Sequence, residues 1–396
     1  MPLQAYHPSW SFSAAVRAKA ARWQRRQLLT PAQLSAIEAA YPLAYYRPAW
    51  PLRVGVFVFA WLGLSLGGSF SYLLVDASPV AAGLLYCLLS FGALELLIKA
   101  YRFYHCGADN ALLYSGLGAA IGLVFYGFHK YGTPYTNISL HNGSLVLPLL
   151  LALALLLAAV LRYADALVTA AAFATALLAV VFASTPSRLG LALLPFLVMG
   201  AAAGSLLLYR TVSRRVAGTS LADYYARCLL TLKVLALLGV YVGGNYLVVR
   251  EGNAALYHLN ASRQIPFAAL FYAFTAGIPV LYLGWGLRHA DRPTLLVGLL
   301  TLVFSLYTVW HYRALMPPEM TAAVAGAVLT VLAGSLLRAL RPARIGLTSL
   351  PGDEPRYFNL ENLVQAQTAP VPGAPAAGGF EFGGGQSGGG GANGRF

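Results

Sequence analysis

The chain has 396 residues, 58% of them hydrophobic and only 10% charged, with 27 Lys and Arg against 13 Asp and Glu. A soluble domain carries about 25% charged residues, so this chain has too little polar surface to solvate itself. The composition excludes a disordered protein, a disulfide-stapled secreted scaffold and an ordinary cytosolic enzyme, and predicts an all-α polytopic transmembrane helix bundle.

Residues 1–53 lack the early apolar core and small-residue cleavage site of a signal peptide. They read as a basic amphipathic helical hairpin on the cytoplasmic side. In its first helix Phe12, Val16, Ala20 and Trp23 share one face, and Arg17, Lys19, Arg22, Arg25 and Arg26 take much of the rest. Such a face fits anionic headgroups beside a membrane span; a solvated hairpin is the alternative. The second helix is predicted from Pro31 to Ala40. Thr30 is its N-cap, Pro31 occupies the first turn, and Gln33 stands at the reach-back position of a capping box.

Ten apolar stretches near the 20-residue spanning length follow, at 54–75, 79–98, 110–128, 145–161, 166–183, 189–208, 229–249, 267–287, 294–312 and 320–337. They define a bundle over 54–340. The fourth and fifth are separated only by Arg162-Tyr163-Ala164-Asp165, which predicts a tight antiparallel pair. Turns are expected at Asp76–Pro79 and Ser184–Ser187. With the N-terminus inside, 22 of the 27 cations fall on inner segments. Only Lys130, Arg188, Arg250, Arg263 and Arg313 fall outside. This asymmetry predicts both termini in the cytoplasm. It also accounts for the net charge of +14 without nucleic acid as a partner. Trp50, Tyr101, Tyr163 and Tyr209 lie near predicted boundaries, where amphipathic rings favour the headgroup level. Residues 341–396 are Pro-punctuated and then Gly-rich, too poor in apolar residues to form a core, and are expected to be a disordered cytoplasmic tail.

Few residues carry chemistry. Glu95 lies within the second predicted span, and a carboxylate there is costly enough to need a reason. Lys99 follows four residues later on the same helical face, in the favourable order. Two readings stand: a proton- or ion-responsive site, or an interfacial ion pair with Lys99 snorkelling outward. In the seventh span, Gly243-Gly244-Asn245 fits either close helix packing or local unwinding, with Asn245 able to bond across an interface. Cys87, Cys106 and Cys228 form no C-x-x-C pair, and His105-Cys106 has no recognisable ligand spacing, so no metal or cofactor is implied. No Walker loop, G-x-S-x-G or H-E-x-x-H occurs.

The stretch Arg22-Trp23, Leu28-Leu29-Thr30-Pro31-Ala32-Gln33-Leu34 and Ile37, followed by many spans, resembles uncharacterised bacterial polytopic membrane proteins that carry a short cytoplasmic helix pair before the bundle. The resemblance covers about 30 residues plus the general architecture. It implies a bacterial inner membrane and no known reaction. The expected function is a non-enzymatic membrane component, a scaffold, sensor or assembly factor, with protein partners at the N-terminal hairpin and tail. The alternative is a secondary transporter of a small solute or lipid that uses the intramembrane carboxylate.

Overall fold

A computed structural model describes residues 4–75, 78–131, 143–257, 259, 261–313 and isolated positions between 323 and 338. The predicted tenth span lies largely outside the described residues, and the expected disordered tail lies wholly outside them. The described chain is all-α. Two short helices come first, α1 (Pro8–Arg25) and α2 (Pro31–Ala40). Then follow α3 (Trp50–Leu74), α4 (Pro79–Tyr101), α5 (Ala108–Tyr131), α6 (Val146–Tyr163) and α7 (Ala166–Ser184). The last are α8 (Arg188–Val216), α9 (Ser220–Tyr224), α10 (Ala226–Gly244), α11 (Tyr246–Leu256), α12 (Ala268–Arg288) and α13 (Arg292–Arg313).

Nine helices among the described residues are long and apolar enough to cross a membrane: α3 to α8, α10, α12 and α13. The shortest, α6, has 18 residues, about 27 Å at 1.5 Å per residue. Each matches one of the first nine predicted spans. Many large apolar side chains point outward. Phe59, Leu66, Leu73 and Leu88 are 73–78% exposed, which water would penalise and lipid does not. The chain is a multi-pass membrane protein.

Local chemistry sets the helix starts. Thr30 Oγ1 accepts from Gln33 N at 3.2 Å while Gln33 Oε1 accepts from Thr30 N at 2.9 Å, closing the expected capping box. Ser187 caps α8 by accepting from Gly190 N at 2.9 Å, and Ser78 caps α4 ahead of Pro79. Consecutive spans are antiparallel neighbours, with α4 on α5, α6 on α7 and α12 on α13, while α10 packs against α7, α8, α12 and α13. The segments 102–107, 164–165, 217–225 and 289–291 therefore gather at one end of the bundle, called the basal end below.

Two expectations change. The first concerns α1. Ala20 is buried, but Phe12 and Trp23 remain 41% and 49% exposed. The helix docks through its N-terminal part instead, where Tyr6 and Trp10 meet Tyr45 and Tyr104 edge-on or tilted. Farther along, α1 packs against α9, with Ala20 buried. Arg17 pairs with Glu38 at 3.1 Å and closes the hairpin, while Lys19, Arg22, Arg25 and Arg26 lie on exposed positions.

The second concerns the seventh span, which ends at Gly244 rather than 249. Asn245 adopts an extended conformation (φ −79°, ψ 127°) and caps α11, accepting from Val248 N at 3.2 Å. Side chains from neighbouring helices bond to the break. Asn245 Nδ2 donates to Tyr241 Oη and to Thr308 Oγ1 of α13, each at 3.0 Å, and Tyr246 N donates to Thr275 Oγ1 of α12 at 2.9 Å. Close packing occurs as well: a Cβ on Gly244 would lie 2.9 Å from Ile278 Cδ1. The two readings of this motif are thus compatible.

Candidate functional site

The basal end holds a polar cluster built on the turn between α4 and α5. Arg102 ends α4 in the left-handed region (φ 52°), its N–H bonded to Leu97 O. The incoming segment is pinned across this turn, with Tyr46 N on Arg102 O at 2.9 Å and Tyr104 N on Tyr46 O at 3.2 Å. The turn then wraps around a carboxylate. Asp109, fully buried, accepts from three successive backbone N–H groups: His105 at 2.7 Å, Cys106 at 2.9 Å and Gly107 at 3.1 Å. The Cys106 thiol donates at 3.4 Å and the Tyr6 hydroxyl at 2.9 Å. Five donors replace the water this anion loses, which is the condition for burying a charge. Burial and then Asp109 push the Cys106 thiol up to about 12, so it is no nucleophile at neutral pH.

A second carboxylate, Asp165, stands beside the first. It caps α7, accepting from Val168 N at 2.9 Å, and also accepts from Asn110 Nδ2 and Tyr114 Oη at 3.0–3.1 Å. The His105 ring lies between the two carboxylates' environments, its Nδ1 3.9 Å from Asp165 Oδ2. Together His105, Asn110, Tyr114, Asp165, Arg53 and Arg227 line a pocket of about 350 Å³, with Trp50 and Phe57 as apolar wall. Two of its lining residues hold buried polar atoms without a protein partner, Arg53 Nε and Asn110 Oδ1. One is a donor and the other an acceptor, and such atoms in a cavity ask for a ligand or water. Arg47 sits over the Tyr104 ring at 5.5 Å. Burial and the neighbouring Arg227 lower its proton affinity, a sign of crowded cations.

Burial holds the His105 imidazole below its ordinary value, and Arg47 and Arg227 act the same way. Asp109 and Asp165 oppose this without overcoming it. The folded protein therefore carries neutral His105, and unfolding lets it take up a proton near pH 6.5. Stability from this site is present above that pH and is lost as pH falls through it toward the folded value. The apparent Tm of detergent-solubilised protein is expected to drop between pH 7.5 and 5.5. His105→Asn, which tolerates the φ of 49°, is expected to remove that component. An unchanged pH slope in the variant would refute the assignment.

Glu95 is placed near the cluster but outside it. Its Oε1 accepts from Arg162 Nη2 at 2.6 Å, Arg162 Nε at 2.9 Å and Tyr163 Oη at 3.0 Å, and Lys99 Nζ lies 3.0 Å from Oε2. The expected Glu95–Lys99 pair is present, and Arg162, 67 positions away, is the closer partner. Asn245 lies at the other end of α10, remote from both. Of the basic face on α1, Arg17 faces α2 and the rest line the hairpin exterior. The sequence reading missed Asp109, Asn110, Asp165, Arg53 and Arg227. Acids at span ends are ordinarily solvated, so their residue type and position alone do not mark them. The signals were Gly107 two residues before Asp109, and Asp165 at the N-cap position after a four-residue turn.

Fold and site together define a multi-pass helical membrane protein with a polar pocket at the end that carries its N-terminal arm. No protein-family model matches the chain, and neither a curated protein nor a solved structure matches it. Among the described residues no three His, Cys, Asp or Glu side chains are grouped to hold a metal.

Proposed function

We propose that this is a non-enzymatic component of a bacterial inner membrane, a sensor whose basal pocket lies in the cytoplasm and receives a small polar ligand that both accepts from Arg53 Nε and donates to Asn110 Oδ1. The cation distribution of 22 inner to 5 outer supports that orientation. The observation that carries the reading is the attachment of the N-terminal arm to the pocket's own framework. Tyr6 donates to Asp109, and Ala5 N–H donates to the Arg162 carbonyl at 2.8 Å. A ligand that shifts the turn at 105–109 changes what holds the arm. The arm's hairpin and the C-terminal tail then serve as the surfaces for protein partners, and the exposed cations of α1 engage anionic headgroups.

A second reading, a secondary transporter, is favoured by the helix break at Asn245. Against it, α10 completes about 28 Å before that break, so the break comes at the far end and not at mid-membrane. Glu95, the carboxylate such a carrier needs, is already matched by Arg162 and Lys99. The full chain in vesicles is expected to show no uptake that depends on Glu95. Solute flux that Glu95→Gln abolishes, with expression and fold intact, would replace the sensor reading with the transporter. Removing residues 1–40 is expected to lose co-purifying partners while the bundle still folds, at a Tm lowered by the loss of the Tyr6–Asp109 and Ala5–Arg162 bonds. An identical set of partners would count against the hairpin as a docking surface.

A further inference from the structure

A second cavity at the basal end, separate from the His105 pocket, lies between α8 and α12 with α10 as its floor. Its volume is about 1160 Å³. Four cations line it: Arg210 and Arg214 from α8, Lys233 from α10 and Arg288 from α12. They face one carboxylate, Asp291, and Lys233 takes it as an ion pair. Thr294 Oγ1 also donates to Asp291 at 2.8 Å, so the acid is fully engaged. Among the described residues Arg210, Arg214 and Arg288 have no carboxylate partner. The Arg210 guanidinium lies 5.3 Å from the Trp285 ring centroid, and His289 stacks on that ring at 4.2 Å.

Further along the spans the same cavity turns apolar. Leu206 of α8 and Val280 and Leu281 of α12 line it, the last two 62% and 70% exposed. One cavity thus has an excess of three positive charges toward the bundle end and open hydrocarbon toward the membrane interior. Basic pockets between membrane helices recognise phospholipid headgroups through this combination, and guanidinium forks match phosphate oxygens. A free inorganic ion would leave the apolar half unused.

We propose that this cavity is a binding site for one anionic phospholipid, its phosphate held by Arg210, Arg214 and Arg288 and an acyl chain lying against Leu206, Val280 and Leu281. The site requires only that the chain is in a membrane and does not depend on the sensor reading.

Native mass spectrometry of the full-length protein in detergent, titrated with phosphatidylglycerol or phosphatidylcholine, tests it. Wild type is expected to retain one phosphatidylglycerol in preference to phosphatidylcholine. The triple change Arg210→Gln, Arg214→Gln, Arg288→Gln is expected to weaken that retention about 100-fold, at roughly fivefold per cation. Arg188→Gln with Arg263→Gln removes exposed charge from the opposite end of the bundle and is expected to leave it unchanged. Should the triple variant fail to fold, Arg214→Gln alone, on an exposed position, is expected to weaken it about fivefold. Equal binding of both lipids by wild type would overturn the proposal, as would undiminished retention in whichever variant folds. Displacement by soluble glycerol phosphate at concentrations matching the lipid would show a phosphate site without an acyl component, and would overturn it as well.

Discussion

Asp109→Ala is expected to cost at least about 3 kcal/mol of stability, because it leaves the buried N–H groups of His105, Cys106 and Gly107 without acceptors, each worth about 1–3 kcal/mol. The loss also orphans the Tyr6 hydroxyl, which is buried with it. Thermal unfolding of the full chain in detergent, followed by Trp fluorescence, should show a Tm lowered by about 5 °C or more. Tyr6→Phe is the informative companion. It removes one of five donors and leaves the carboxylate solvated by the turn, so it is expected to cost about 1 kcal/mol while exposing the arm to protease. A Tyr6→Phe protein whose arm is as resistant as wild type would show that the hydroxyl does not hold the arm down. An Asp109→Ala protein with unchanged Tm would remove the carboxylate from the centre of the cluster altogether.

Gly107→Ala is expected to be comparably severe for a different reason. Gly107 has a φ of +110°, which side-chain-bearing residues rarely adopt, and a Cβ there would lie 2.3 Å from the Arg53 carbonyl oxygen and 3.0 Å from Phe57 N. Both obstacles are backbone atoms of α3, so neither can rotate away. The turn must lift off α3 or refold, and the donor fan onto Asp109 goes with it. A cost of about 3–5 kcal/mol is expected, read as lost Tm or as failure to accumulate in the membrane. The pocket should open too, since Arg53 and His105 both line it. A folded Gly107→Ala protein of wild-type stability would mean that the approach of this turn to α3 is looser than described.

Much of the fold was legible because membrane spanning is a local property. Apolar length alone located nine described helices, and Ser78, Thr30 and Ser187 mark starts that the capping hydrogen bonds then occupy. The pair α6–α7 follows from a short spacer, which Ala164 in the left-handed region and the Asp165 cap close into a tight turn. Glu95 was singled out because a charge in a span is rare, and Lys99 because it sits one turn away.

The residues that escaped notice do so for a common reason: their partners are distant in sequence. Arg162 reaches Glu95 across 67 positions, Asp165 meets Tyr114 across 51, and Tyr6 meets Asp109 across 103. No pattern of period 3.6 or short motif encodes such a meeting. Asp109 looked like an ordinary solvated acid at a helix start, and only the left-handed turns at Arg102, His105 and Gly107 bring three N–H groups onto it.

By itself, then, the sequence determined the class of protein, the number and order of its described spans, the helix caps and the presence of one costly carboxylate. Each of these depends on transfer free energy or backbone geometry within a few consecutive residues. The tertiary structure alone decided that α10 stops at Gly244, that Tyr6 and Trp10 anchor the N-terminal arm, and that Asp165, His105, Arg53 and Arg227 line one pocket beside the buried Asp109. Those outcomes depend on which buried polar groups find partners once helices dock, and docking brings together residues that the chain keeps far apart.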